Sequence, residues 1–208
     1  MLGVYGGTFN PVHYGHLRTA LEVKELFELE QLRLIPCRLP PHRQQPEVDG
    51  ETRLAMLELA IVDTLGLQTD RRELDRQGAS YMVDTLQSLR AEHPADGLIL
   101  FIGADAFAGL ESWYQWRQLF EYAHVVVMTR PGFEPPPLSG FFQQRLSVDR
   151  QALRQNPWGC LYFQAVTALE ISATRIRELI ASGRDAKFLL PDPVLDYIRQ
   201  HQLYLSQQ

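Results

Sequence analysis

Cysteine is scarce in this sequence, and long apolar runs are absent from it. The two cysteines, Cys37 and Cys160, lie far apart and form no CxxC pair, which argues against a disulfide framework and a cysteine-based zinc site. No apolar run approaches the roughly 18 residues that a membrane span requires, and no basic stretch followed by a long apolar segment opens the chain. The sequence therefore predicts a cytoplasmic protein without a membrane partner.

Positive charge is also in short supply. The chain has 20 Lys and Arg residues against 25 Asp and Glu residues, which gives a net charge of −5. We therefore do not expect the broad basic surface with which proteins hold nucleic-acid polymers, and an anionic partner would have to meet a local cluster. Small nucleotides fit this pattern better than polymers do.

Length and composition suggest how the chain is organised. A chain of 208 residues, 45% of them hydrophobic, can bury one good core but leaves no room for several independent modules. We predict a single domain over residues 1–208, in which residues 172–208 form a C-terminal helical extension.

Two common phosphate-binding motifs are missing, and a different run occurs near the N-terminus. The sequence contains neither G-x-G-x-x-G nor G-x-x-x-x-G-K-[ST], so dinucleotide redox chemistry and Walker-type hydrolysis lose support. The run GGTFNPVHYGH, residues 6–16, instead follows a short apolar strand. Its glycines let backbone N–H groups approach an anion. His13 and His16 lie three residues apart, on one face of a helix whose N-terminus attracts negative charge.

The two histidines also raise the alternative of a metal site. Two imidazoles could bind zinc, but the sequence has no HExxH motif and no evident third ligand nearby. We therefore predict a phosphate site here, and no metal held by side chains of the protein.

Short apolar runs alternate with helical segments along the chain. The runs that we interpret as strands are residues 2–5, 32–35, 98–102, 125–128 and 161–163. A first helix carries Leu17, Ala20, Leu21 and Phe27 on one stripe, a second spans about residues 51–64, and a third begins near Tyr81. This alternation predicts an α/β fold with a doubly wound parallel sheet, in which ligands bind beyond the carboxyl ends of the strands.

A second polar motif, ISATRIR at residues 171–177, opens a predicted helix. Ser172 is a good N-cap residue. The hydroxyls of Ser172 and Thr174 lie beside free helix N–H groups, with Arg175 and Arg177 close by, so the segment could also clamp a polyphosphate. The two motifs would then hold one ligand from two sides.

Three residues in the middle of the chain have both a structural and a ligand-binding interpretation. Asp105, which follows Gly103, caps a helix, accepts a hydrogen bond from a ribose hydroxyl, or does both. Trp113 belongs to the core or stacks on a planar ring. Arg130 lies in solvent or contacts a phosphate or carboxylate.

Two Pro-rich segments, residues 39–46 and 133–138, are predicted to be loops. His42 and Arg43 lie in the first of them. They either belong to a mere connection or contact the substrate.

The two outer motifs resemble the signatures of nucleotidyltransferases. Residues 6–16 are similar to the GGTFDPxHxGH motif, and residues 171–177 to the ISxTxIR motif. The middle of the chain resembles the bacterial nicotinate-mononucleotide adenylyltransferases in the order of the following elements: the Pro-Pro-His-Arg segment, Ser80-Tyr81, Asp84-Thr85-Leu86, Gly103-Ala104-Asp105, Trp113 and Arg130-Pro131-Gly132. The resemblance implies a Rossmann-like nucleotidyltransferase fold and transfer of AMP from ATP to nicotinate mononucleotide in NAD biosynthesis.

The resemblance also implies roles for individual residues. The catalytic residues would be His16, His13 and Arg177. The residues that bind ATP would be Gly6, Gly7, Thr8, Phe9, His13, His16, Gly103, Asp105, Ser172, Thr174 and Arg177. The residues that bind the mononucleotide would be Tyr81, Thr85, Trp113, Tyr114, Arg130, His42 and Arg43. Mg²⁺ would be bound mainly through the ATP phosphates.

Two positions depart from the motifs or vary within them. Asn10 stands where the first motif has Asp; its side chain can accept a hydrogen bond but carries no charge. No carboxylate at this position therefore orients His13 or His16. Arg175 occupies a variable position of the second motif.

Two other functions share these features. Another adenylyl- or cytidylyltransferase, such as a pantetheine-phosphate enzyme, would carry both outer motifs. A nucleotide-sensing module would keep the pocket without turnover. The side chains do not distinguish nicotinate from nicotinamide mononucleotide as acceptor, because backbone N–H groups can bind the nicotinate carboxylate without a diagnostic side chain. The resemblance selects nicotinate. The sequence is also compatible with a homo-oligomer.

Overall fold

The computed structural model describes residues 1–39 and 46–206. At its centre six strands form one parallel sheet in the order β3-β2-β1-β4-β5-β6. The strands are β1 (Leu2–Gly7), β2 (Gln31–Pro36), β3 (Leu67–Thr69), β4 (Leu98–Gly103), β5 (His124–Thr129) and β6 (Leu161–Ala165).

Helices cover both faces of this sheet. The α-helices are α1 (Tyr14–Leu26), α2 (Gly50–Ile61), α3 (Arg72–Asp75), α4 (Met82–Glu92), α5 (Ala104–Ala108), α6 (Leu119–Tyr122), α7 (Gly140–Gln143), α8 (Ala173–Ala181) and α9 (Asp192–Gln200). Buried residues of α1, α2, α8 and α9 join one core cluster, and those of α4, α5, α6 and α7 join the other. The predicted doubly wound α/β fold is confirmed.

The central strands are apolar on both faces, as parallel strands between two helical layers must be. β4 reads LILFIG and β5 reads HVVVMT, and β5 is buried along its whole length. Successive side chains of a strand point to opposite faces. Ile99 and Phe101 therefore join one cluster, whereas Leu98, Leu100 and Ile102 join the other.

The five strands predicted from the sequence are present, and β3 is an additional one. It has three residues, of which Leu67 alone is buried, and it pairs only with β2 at the edge of the sheet. Three residues are too few to show an alternating pattern. Three predicted helices are confirmed as α1, α2 and α4, although α2 ends at Ile61 rather than near residue 64.

The C-terminal helices share their core with the sheet. Ile176 of α8 and Ile198 of α9 are fully buried in the cluster that contains Phe9 and Phe101. The loop before α9 also reaches the start of α1, where the N–H of Tyr14 donates to the carbonyl oxygen of Leu189 at 3.1 Å. The predicted C-terminal extension is thus packed against the N-terminal motif.

The predicted loop at residues 133–138 has no regular structure. Most of the other Pro-rich segment lies outside the described residues, including His42 and Arg43. Within the described part of the chain, no helix has both the length and the apolar character needed to cross a membrane.

The strand order reverses between β1 and β4. From β1 the chain builds the sheet outward through β2 and β3, and then on the other side through β4, β5 and β6. Ligands of open α/β sheets bind beyond the carboxyl ends of the strands at this point. The two strands end there at Gly7 and Gly103.

Candidate active site

A cavity of about 400 Å³ opens at the carboxyl ends of β1 and β4. It lies at the reversal of strand order, where the fold favours a ligand site. The predicted site residues that line it are Gly6, Gly7, Thr8, Tyr81, Gly103, Asp105, Trp113 and Tyr114. Some residues of each predicted group, for ATP and for the mononucleotide, therefore line one cavity. His13, His16, Ser172, Thr174 and Arg177 lie outside its lining.

His13 and His16 form a stacked pair at the start of α1. His13 is the N-cap residue and His16 lies in the first turn, and the ring centroids are 3.8 Å apart at an interplanar angle of 29°. Gly15 permits this arrangement, because a Cβ there would lie only 3.0 Å from Cε1 and Nδ1 of His13. Phe9 packs edge-on against His16 at 5.1 Å. The predicted common face of the two histidines is confirmed.

Burial keeps both imidazoles neutral at neutral pH in the free protein. It lowers the pKa of His13 to about 4 and, with a smaller contribution from His13, that of His16 to about 3. The two Nδ1 atoms are buried, and they alone among the buried side-chain polar atoms of residues 1–39 and 46–206 lack a hydrogen-bond partner. Native structures leave few such atoms unpaired because each costs free energy, so this pair of atoms is a candidate position for a ligand.

The second motif forms the N-terminus of α8 as predicted. The side chain of Ser172 accepts a hydrogen bond from the backbone N–H of Arg175 at 3.1 Å. Ile176 is fully buried and anchors the helix, while Thr174 is exposed on its first turn. Arg175 points away to Glu178, with 3.3 Å between Nη1 and Oε2.

The two motifs meet. Arg177 donates from Nη1 to the backbone carbonyl oxygen of Asn10 at 2.8 Å and from Nη2 to Oγ1 of Thr174 at 3.4 Å. The carbonyl oxygen of Ile171 lies 3.5 Å from the position that a Cβ of Gly15 would occupy. The N-termini of α1 and α8 are therefore neighbours, and the positive end of each helix dipole favours an anion nearby.

Part of the cavity wall is aromatic. Tyr81 and Tyr114 face each other with ring centroids 4.6 Å apart. Trp113 lines the cavity and also packs against a core cluster, which confirms the core interpretation, while stacking on a planar ring stays a prediction. Aromatic faces of this kind suit a planar ring.

Asp105 lines the cavity but does not cap a helix. The N-cap of α5 is Gly103, and Asp105 lies inside the first turn. The capping interpretation is therefore wrong, and the position at the cavity wall agrees with the ligand-binding one.

Three predicted contact residues lie elsewhere than expected. Phe9 is 1% exposed, and its ring packs against His16, so it offers the ligand no side-chain surface. Thr85 is fully buried and donates to Oε1 of Glu73 at 2.7 Å. Arg130 is exposed, lies outside the cavity lining and contacts Glu170 at 3.4 Å. The sequence predicts that Thr85 and Arg130 contact the mononucleotide. In this conformation neither residue lines the cavity.

Two buried charged residues near the cavity escaped the sequence analysis. Arg53 is 1% exposed and donates to the carbonyl oxygens of Thr8 at 2.7 Å and Cys37 at 2.6 Å. Glu73 lines the cavity, and burial raises the pKa of its carboxyl group. The only sequence signal for Arg53 was a cation in the apolar stretch of α2; for Glu73 there was none.

No metal cage is present in the described part of the chain. Within residues 1–39 and 46–206, no group of three or more His, Cys, Asp or Glu side chains could hold a metal ion. The predicted contacts of the ATP phosphates are imidazoles, hydroxyls and a guanidinium group, and a cation such as Mg²⁺ prefers oxygen ligands with negative charge.

Comparisons with known proteins identify the family of the chain. A family model described as cytidylyltransferase-like matches residues 4–179. A Methylococcus capsulatus protein named "Probable nicotinate-nucleotide adenylyltransferase" is 50% identical over 208 residues, which cover 98% of this chain and 99% of that protein. A Halorhodospira halophila protein of the same name is also 50% identical and covers 93% of this chain and 90% of its own length.

Solved structures show the same fold at low sequence identity. The nicotinic acid mononucleotide adenylyltransferase of Plasmodium falciparum, complexed with NaAD, has a TM-score of 0.73 at 17% identity, over 98% of this chain and 96% of that chain. Its complex with APC has a TM-score of 0.71. Since half of all residues are identical to those of bacterial relatives over nearly the whole length, the chain belongs to the cytidylyltransferase-like family and, within it, to the nicotinate-nucleotide adenylyltransferases.

Proposed function

We propose that the protein transfers AMP from ATP to nicotinate mononucleotide and forms nicotinate adenine dinucleotide and pyrophosphate. The convergence of the two motifs on one anion-favouring position carries this proposal. The names of the bacterial relatives support the nicotinate acceptor. The proposal includes the cytoplasmic location predicted from the sequence, and the predicted homo-oligomer stays a prediction.

The reaction needs little covalent help from the protein. The acceptor phosphate is already ionised at neutral pH because its second pKa is about 6. One of its oxygens bonds to the α-phosphorus of ATP, the bond from that phosphorus to the bridging oxygen of the β-phosphate breaks, and pyrophosphate leaves with the electron pair. Charge accumulates on phosphate oxygens during this in-line transfer, so position and fixed dipoles account for most of the acceleration.

The two motifs supply the groups that this charge requires. We assign His13 and His16 to the triphosphate from one side, and Ser172, Thr174 and Arg177 from the other. A neutral imidazole donates one N–H, and contact with phosphate raises the pKa of a histidine because an anion favours the protonated form. The free protein therefore avoids burying two like charges. When ATP binds, its negatively charged phosphates favour the protonated form of the imidazoles.

The aromatic side of the cavity would receive the mononucleotide. We place the pyridine ring against Trp113, with Tyr81 and Tyr114 beside it. Asp105, on the wall next to Gly103, would accept from a ribose hydroxyl or contact the adenine. Any contribution of His42 and Arg43, which lie outside the described residues, stays a prediction.

Mg²⁺ would be held mainly by the ATP phosphates, as predicted. When bound, the ion neutralises part of the charge on the phosphate oxygens.

Release of pyrophosphate with different acceptors tests the proposal. The protein is mixed with ATP, Mg²⁺ and, in separate reactions, nicotinate mononucleotide, nicotinamide mononucleotide or 4′-phosphopantetheine. We expect the highest kcat/KM with nicotinate mononucleotide. Preference for phosphopantetheine would assign a different transferase, and tight ATP binding without pyrophosphate release from any acceptor would indicate a nucleotide sensor.

A further inference from the structure

The C-terminal tail reaches the turn that precedes the two histidines. Tyr204 follows α9, is 7% exposed, and donates from its hydroxyl to Oδ1 of Asn10 at 2.6 Å. These two residues are 194 positions apart in the sequence. Tyr204 was not among the predicted site residues, and Asn10 was noted only as a departure from the motif.

The structure holds Tyr204 in place from several sides. Its ring belongs to the core cluster that also contains Phe9 and Val12. Beyond it, Ser206 donates from its hydroxyl to the carbonyl oxygen of Ala181 at 2.8 Å and so ties the tail to the end of α8. The phenol is therefore fixed by packing rather than by its hydrogen bond alone.

Asn10 accepts two hydrogen bonds from the C-terminal part of the chain. Arg177 donates to its backbone carbonyl oxygen, and Tyr204 donates to its side-chain oxygen. Burial raises the pKa of the Tyr204 phenol above its usual range, which keeps the proton on the donor. Three residues after Asn10 the chain reaches His13, the N-cap of α1.

We propose that Tyr204 is a positioning residue for the adenylyl transfer: its hydrogen bond to Asn10 fixes the turn at residues 10–12 and so holds His13 and His16 where the triphosphate binds. The proposal rests on the function proposed above. It also gives the uncharged Asn10 a task that needs no carboxylate, because an amide oxygen accepts from a phenol as a carboxylate does.

The test is Tyr204→Phe, which removes one hydroxyl and keeps the ring in the core. We expect kcat to fall on the order of 10-fold, the factor that corresponds to one lost hydrogen bond, while KM for the mononucleotide is unchanged. The matched control is Tyr197→Phe. Tyr197 lies on α9, its ring stacks on His201 with centroids 4.0 Å apart, and we expect this variant to behave like the wild type.

A double-mutant cycle separates positioning from a general loss of stability. Asn10→Ala should lose about as much kcat as Tyr204→Phe, and the double variant should lose no more than either, because all three lack the same bond. Asn10→Asp should retain activity, since it keeps an acceptor. A kcat of Tyr204→Phe within about twofold of wild type would overturn the proposal, as would additive losses in the cycle.

A second measurement does not depend on turnover. The imidazole NMR signals of His13 and His16 in the free protein should shift or broaden in Tyr204→Phe and stay in place in Tyr197→Phe. Unchanged signals in Tyr204→Phe would contradict the positioning role even if no acceptor reacts. Absence of turnover in the wild type would instead count against the proposed function.

Discussion

His13 and His16 are neutral side chains in a site that suits phosphates. Burial removes the stabilisation that water would give to their charged forms, and His13 adds a smaller effect at His16, which is why the pKa of each lies well below 6.5. The two buried Nδ1 atoms without a hydrogen-bond partner cost free energy of folding, and they lie where we propose that the triphosphate binds. At the scale of single residues, the two imidazoles of the described chain are therefore buried, uncharged and without a hydrogen-bond partner at Nδ1.

Replacing His16 by alanine should lower kcat on the order of 10²- to 10³-fold, by analogy with the loss of one preorganised donor to a developing charge. Steady-state pyrophosphate release measures this effect. His201→Ala is the control, because His201 is exposed after α9 and distant in sequence from both motifs. Turnover of His16→Ala within a few fold of wild type would show that this imidazole does not stabilise the transferred phosphate.

Acid should destabilise the protein through the same pair. Between the folded-state pKa values of about 4 and about 3 and the ordinary value of 6.5, the unfolded chain binds more protons than the folded one. The free energy of unfolding contributed by these groups is therefore complete above 6.5 and is lost as the pH falls towards 3.

Urea unfolding at about pH 7 and about pH 5 measures this dependence. A His13→Gln, His16→Gln double variant should lose less stability between the two conditions than the wild type does, because glutamine does not titrate. An equal loss in both proteins would mean that other groups account for the acid sensitivity.

At the scale of secondary-structure elements, glycine conformation at the edge of the sheet matters for stability. Gly66 has φ +82° and directly precedes β3, and a Cβ there would overlap Cε of Lys24 and approach the carbonyl oxygen of Glu30 to 2.9 Å. The Lys24 stem of α1 thus passes over Gly66. Neither this contact nor β3 was predicted from the sequence.

Gly66→Ala should reduce the free energy of unfolding by about 3 kcal/mol, the sum of left-handed strain and overpacking. Gly78 is the matched control, since it has φ +91° and open space around its Cβ position, so that Gly78→Ala should cost about 1 kcal/mol from strain alone. Chemical denaturation gives both values. Equal effects at the two positions would show that the approach to the Glu30 carbonyl oxygen adds nothing.

At the scale of the whole molecule, a buried cation joins the segments that follow β1 and β2. Arg53 of α2 donates to carbonyl oxygens of Thr8, Cys37 and Val48. No carboxylate forms an ion pair with it within residues 1–39 and 46–206. It therefore satisfies backbone groups that the sheet leaves unpaired beyond the ends of β1 and β2.

Arg53→Met should lower the free energy of unfolding by about 3 kcal/mol, because it leaves buried carbonyl oxygens without a donor. Thermal and urea unfolding measure the loss. Arg71→Met is the control, since Arg71 is exposed and its ion pairs with Glu51 and Asp75 lie at the surface, so we expect no measurable change. Equal stability of Arg53→Met and wild type would contradict the bridging role.

The motifs and the larger elements could be predicted because each depends on neighbours in the chain. Hydrophobic periodicity identified five strands and three helices, and spacing placed His13 and His16 on one face. Ser172 was identifiable as a helix cap from its own chemistry and the residues after it. The burial of Thr85 was not identifiable, and the sequence left both an exposed and a ligand-binding Arg130 open, because each outcome depends on which distant segment packs over the side chain.

The sequence by itself determined the fold class, the family and the two phosphate motifs, since these are written in residue types and their spacing. Only the tertiary structure decided that Arg177 reaches Asn10, that Tyr204 closes the same turn from the C-terminus, and that both imidazoles are neutral. Hydrogen-bond partners and pKa values depend on which groups surround an atom in space. Residues brought together from both ends of the chain create those surroundings, and no local pattern records them.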